Sequence, residues 1–371
     1  MQNLTGENYN KIMNNFDIGL RPAAIGSMPH KNPEEAFLIT DKIFKDIPFW
    51  MQLPTKSATE SMSMQFSDGM PGVKIENSKI KFNPTSDEFF EKTERLYSDF
   101  EEVSAGNTEI LKKYAISPDF SCSFDLFLKR IKEQKPKFAK GQITGAFTLG
   151  TMICDESGNG IFGDDTYREI LTKFLSLKAL WQIYEIKKAS DSTVPIIFED
   201  EPAVSQAGSS AYLSVGEEDI IAAIKEISDG IRQNGGLSAV HCCGKADWSK
   251  ILKTGANIIN FDIYSFSKHF LTYKNEITMF LKNGGILAWG IVPTMSTEVV
   301  RAENFENLFK ILDENFTELS KTVDLRTIVR QSIITPSCGA GSLDVKSAEK
   351  VMALTGEISE AMRQKYGELL K

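Results

Sequence analysis

The chain has 371 residues, is 42% hydrophobic, and carries 42 Lys and Arg against 50 Asp and Glu, a formal net charge of −8. That apolar content supports a large core, and the acidic balance without a basic, aromatic-interleaved stripe argues against nucleic acid or an anionic membrane as partner. There is no apolar signal segment, no long apolar run and an odd count of five cysteines. A cytoplasmic, reduced protein is expected, in which clustered Cys and His are metal or catalytic groups rather than a disulfide framework.

Apolar runs punctuated by Gly and Pro predict eight strands, over residues 23–27, 49–53, 141–147, 195–199, 237–242, 257–263, 285–291 and 327–334. Between them, apolar residues at three- and four-residue spacing predict helices over 32–44, 166–188, 216–233, 248–253 and 268–282, with a closing helix over 346–370. Eight alternating βα units imply an α/β fold, a closed (β/α)8 TIM barrel formed by residues 1–371 as one domain. The interval 56–138 is too long for one crossover and is expected to be an insertion after the second strand, with helical pattern over 87–103 and 108–113.

The chemistry concentrates on the fifth strand, where His241 and Cys243 are two residues apart. Side chains alternate along a strand, so these two share a face and Cys242 takes the other. Cys338 follows the eighth strand in the Gly-rich Ser337-Cys338-Gly339-Ala340-Gly341 loop. Ends of parallel strands share one face of such a fold, so Cys338 can join His241 and Cys243 in a three-ligand zinc site with one position open. A buried core histidine beside two packed cysteines is the alternative. Cys122 and Cys154 have no partner motif and are expected to pack; His30 and His269 are expected on the surface or in loops. Trp289 either lines the cavity or packs the rim.

In chain order, Ile25-Gly26-Ser27-Met28-Pro29, Asp200-Glu201-Pro202, His241-Cys242-Cys243 and Ser337-Cys338-Gly339 resemble the motifs of the catalytic C-terminal barrel of cobalamin-independent methionine synthases, within the uroporphyrinogen decarboxylase/methionine synthase-like superfamily. The resemblance implies that His241, Cys243 and Cys338 bind Zn2+ and that Ile25, Gly26, Ser27 and Asp200 hold the amino-acid part of homocysteine. It implies that Glu60 contacts the substrate amino group. The family's fourth ligand, a glutamate, falls near Asp262, which either ligates or orients His241. Read alone, Asp200-Glu201 could be a helix cap before Pro202, and residues 25–27 merely a tight turn.

The implied function is zinc-dependent S-methyl transfer to a small-molecule thiol, homocysteine above all, giving methionine. Zinc coordination would deprotonate the thiol, and only a thiolate is a strong nucleophile. The donor is 5-methyltetrahydrofolate or a methylated corrinoid protein; Gly244 directly after Cys243 matches the H-x-C-G of corrinoid-dependent relatives. A uroporphyrinogen decarboxylase-like enzyme and a non-catalytic zinc-containing thiol- or corrinoid-binding protein are the competing readings.

Overall fold

The computed structural model describes residues 18–209, 212 and 215–371. Seven of its strands form one sheet: β1 (Arg21–Pro22), β4 (Phe138–Thr144), β5 (Val194–Asp200), β6 (Leu237–Cys242), β7 (Ile258–Asp262), β8 (Ile286–Val292) and β9 (Ser332–Pro336). The other two, β2 (Val73–Glu76) and β3 (Lys79–Phe82), pair antiparallel as a hairpin. Every pairing in the large sheet is parallel, in the order β1-β9-β8-β7-β6-β5-β4.

The chain is therefore α/β, but not the closed eight-stranded TIM barrel expected from the strand count. It is an open, curled, seven-stranded half-barrel whose edge strands β1 and β4 do not pair. The missing strand is the one expected over 49–53. That segment makes only single parallel bridges, Phe49 to Lys140 and Gln52 to Ser27. Pro48 and Pro54 flank it, and proline offers no N–H to extend a ladder on either side. The first strand is likewise two residues long, displaced from 23–27.

Alternation along the strands sorts two apolar layers. Phe138, Ile196, Phe198, Leu237, Ala239 and Ile258 fill the concave side. Val240, Cys242, Ile259, Phe261, Leu287 and Trp289 join the larger core between the sheet and the helices. The 25-residue helix Asp165–Ala189 is buried along most of its length, because it packs on the sheet and also beneath the segment between β1 and β4. In that segment lie the hairpin, with Asn77 and Ser78 both at positive φ in its turn, and the helices Asp87–Ser104 and Phe124–Gln134. Positive φ at both central residues matches the twist of the flanking strands. Among the described residues no helix is long and apolar enough to cross a membrane.

Candidate metal centre

His241 and Cys243 come from the end of β6 and the residue just past it; Cys338 sits two residues beyond β9. The ligand atoms of the three residues all lie within 4.8 Å of one another. The loop that delivers Cys338 is fixed on both sides. Ser337 accepts from Thr294 N at 3.2 Å and its own N–H donates to Val292 O at 2.8 Å, while Gly341 N donates to Ser27 Oγ at 3.2 Å and Ala340 N to Ser27 O at 3.0 Å. A Cβ at Gly339 would stand 2.2 Å from Ser27 Oγ, so the loop packs on Ser27 only because glycine is there.

The histidine is set by a residue the sequence reading did not single out. Asn260, on β7 directly across from His241 in register, donates from Nδ2 to Ala288 O at 2.9 Å and to Thr335 Oγ1 at 2.8 Å. With its amide nitrogen committed twice, its Oδ1 must accept, and the group it accepts from is His241 Nδ1. The imidazole proton is thereby placed on Nδ1 and the lone pair on Nε2. Nε2 is buried and makes no hydrogen bond among the described residues, with the Cys243 sulfur beside it. Asn is depleted in strands, so an asparagine inside Ile258-Ile259-Asn260-Phe261 was the signal available.

The electrostatics suit a cation. The hydrogen bond from Cys338 above all, and then His241, hold the Cys243 thiol down at about 4 against the effect of burial. Cys338 is pushed well above the ordinary thiol range by that same bond and by burial. Burial opposes charge on His241, but the adjacent Cys243 sulfur and Asp200 outweigh it and raise its pKa. Two sulfurs and an imidazole thus share protons where a metal would replace them. These three residues could hold a metal ion, and two soft sulfur ligands with one nitrogen are a donor set that suits Zn2+.

A cavity of about 440 Å3 opens over this group, lined by Ile25, Ser27, Glu60, Asp200, His241 and Cys338 among others. Asp200 ends β5 next to His241 in register, and its Oδ1 is buried without a hydrogen-bond partner among the described residues. Burial pushes its pKa up, although His241 and Lys140 pull the other way.

The other sequence candidates take different places. Glu60 lines the cavity, but its carboxylate accepts from Leu53 N at 3.0 Å and Cys122 N at 2.6 Å. Asp262 stands outside the converging triad and caps the helix Ile263–Phe270 by accepting from Ser265 N at 2.8 Å. Glu201 points to the helix side, where it accepts from Phe147 N at 2.9 Å and Thr148 N at 2.8 Å. Cys242 is fully buried in the helix-side core. Trp289 also packs there, its indole donating to Ser332 Oγ at 2.8 Å. His30, expected on the surface or in a loop, lies in the loop before the helix Pro33–Ile43 and is buried near Glu349; His269 is partly buried, its Nε2 2.9 Å from Ala246 O. Gly244, the corrinoid-like signature of the sequence, has a packing reason of its own: a Cβ there would lie 2.4 Å from Ser205 Cβ.

Compared with known proteins, the chain matches no family model and no curated protein. Among solved structures it is similar to a methyltransferase from Methanosarcina mazei, with a TM-score of 0.49 and 13% identity over 91% of this chain and 92% of that one. A likeness of that degree carries no argument about activity, and these comparisons do not place the chain in the cobalamin-independent methionine synthase family.

Proposed function

We propose that the chain is a zinc-dependent S-methyltransferase whose acceptor is a small amino-acid thiol, homocysteine in the first instance, and whose product is then methionine. The observation that carries this reading is the buried His241 Nε2 converging with Cys243 and Cys338 beside a cavity that also holds a carboxylate oxygen of Asp200 without a hydrogen bond among the described residues. Zinc bound there would supply the positive charge that keeps a substrate thiol deprotonated near neutral pH. Asp200 binds the acceptor's ammonium, and the cavity walls around Ile25 and Ser27 orient its carbon chain. The acceptor sulfur's electron pair forms the new bond to the methyl carbon, the donor's bond to that carbon breaks, and the donor leaves with the bonding pair; the thiol proton goes to solvent. A methylated corrinoid protein is the favoured donor and 5-methyltetrahydrofolate the second.

The test is methionine formation from homocysteine by the zinc-loaded protein with each donor in turn. Methionine with either donor supports the reading, faster turnover with methyl-folate reverses the donor preference, and no methionine with either overturns it. Asp200→Asn separates the amino-acid pocket from the metal. A buried charge-assisted hydrogen bond contributes on the order of 1.5–3 kcal/mol, so acceptor affinity should fall about tenfold or more with zinc content unchanged. Parallel loss of both would make Asp200 a support of the metal site instead.

A further inference from the structure

Beneath the cavity lies a lysine that the metal chemistry does not use. Lys140 is fully buried on β4, with its Nζ 4.4 Å from the centre of the Phe198 ring. Its ammonium donates to Gln142 Oε1 at 3.0 Å and to the backbone carbonyl of Ile25. Among the described residues it makes no salt bridge. A buried ammonium without a carboxylate in contact is costly and is retained where it does something; burial brings its pKa down to about 8, and Asp200 is the acid whose charge offsets this.

What Lys140 holds is the wall of the cavity. The carbonyls of residues 25–27 are all drawn into the protein: Ile25 O by Lys140, Gly26 O by Gln52 N at 3.2 Å, and Ser27 O by Ala340 N at 3.0 Å. Two of these donors are backbone amides, which side-chain substitution leaves in place. The third is a single side chain reaching across the concave side. Gln142, which accepts from Lys140, is itself braced by donating to Trp50 O at 3.2 Å, so the ammonium position is fixed from two directions.

We propose that Lys140 is a positioning residue for the acceptor: by drawing the Ile25 carbonyl out of the cavity it holds the segment of residues 25–27 in the shape that accepts the charged amino-acid head of the thiol, without itself ligating the metal. The proposal rests on the thiol-acceptor reading and deepens it, because it makes the site selective for amino-acid thiols over thiols that lack the head group. The cavity wall, rather than the metal, then decides which thiol is taken.

The experiment uses the full chain loaded with Co2+ in place of zinc, so that binding of a thiol is read from the intensity it adds to the sulfur-to-cobalt charge-transfer band of Cys243 and Cys338. Wild type and Lys140→Met are titrated with L-homocysteine and, separately, with 1-propanethiol; Lys140→Gln, which keeps polarity without the charge, is the second variant. Cobalt content and the spectrum without thiol should match wild type in both variants. Homocysteine affinity should fall about tenfold or more in Lys140→Met, while propanethiol affinity stays within about twofold; Lys140→Gln should fall in between. An unchanged preference for homocysteine in the variants overturns the role of Lys140 and leaves the thiol reading standing. Equal loss for both thiols, loss of cobalt, or failure of both variants to fold makes Lys140 a structural residue and overturns the proposal. No change in the band with either thiol in wild type removes the thiol reading and this proposal together.

Discussion

Replacing Asn260 with Leu isolates the group that aims His241, because the side chains are close in size and the substitution replaces none of the three candidate metal ligands. The side chain now accepts from His241 Nδ1 and donates to Ala288 O and Thr335 Oγ1. In the variant the imidazole N–H is left buried without an acceptor, a cost of about 1–3 kcal/mol, and nothing keeps the lone pair on Nε2. Partners of this kind typically contribute 10- to 100-fold in metal affinity, equivalent to about 1.4–2.7 kcal/mol. Zinc affinity is measured by competition with a chromophoric chelator, and thermal unfolding of the zinc-free protein is followed separately, so that lost packing is not counted as lost metal binding. Zinc bound as tightly by Asn260→Leu as by wild type would refute the placement of the proton on Nδ1 and with it the argument that Nε2 is the ligating atom.

Three further outcomes are expected. Cys338→Ser should abolish zinc binding by elemental analysis while leaving the far-ultraviolet circular dichroism unchanged, whereas Cys242→Ala should keep zinc, since Cys242 is buried on the opposite side of β6; zinc loss in Cys242→Ala alone would reverse the strand's phase. Zinc affinity should rise with pH by about tenfold per unit for each proton displaced: above the Cys243 pKa of about 4 that thiol is already ionised, but Cys338 keeps its proton through the neutral range. Chelator competition at pH 6, 7 and 8 checks the slope, and a flat profile contradicts it. Lys178→Met should stabilise the protein at pH 7. Lys178 is buried beside the Phe174 ring and burial, only partly relieved by Asp68, brings its pKa from 10.5 to about 8, equivalent to at most roughly 3 kcal/mol. The folded pKa is the lower one, so the penalty is complete below pH 8 and disappears as pH rises towards 10.5. The gain in Tm should shrink accordingly, and a Tm that falls at pH 7 would show the ammonium to be well paired.

The meeting of His241, Cys243 and Cys338 was more legible than the barrel. Strand β6 runs Leu237–Cys242 as its apolar run between glycines indicates, and the two-residue alternation put His241 and Cys243 on one face with Cys242 on the other. Convergence of Cys338 followed from parallel strands sharing one end, which survives in a half-barrel as well as in a closed one. Closure did not follow, because an apolar stretch such as 49–53 reads as a strand whether or not a neighbour offers a ladder, and its flanking prolines decide against one. The last strand shows the competition from the other side. Thr327-Ile328-Val329 is β-branched, yet it belongs to the helix Leu325–Arg330, since Asp324 caps that helix by accepting from Thr327 N at 3.0 Å. Asn260 escaped because its role lies in the direction of its hydrogen bonds, which only the three-dimensional neighbours fix.

The most direct test of the account is a crystal of the zinc-loaded protein with anomalous scattering recorded on both sides of the zinc edge. The prediction is one peak per chain that appears only above the edge, bonded to His241 Nε2, Cys243 Sγ and Cys338 Sγ at about 2.0–2.3 Å with the fourth position facing the cavity of Ser27 and Asp200. A peak closed by four protein ligands would make the metal structural, and a zinc-loaded crystal with no peak at these three residues would contradict the account at its centre.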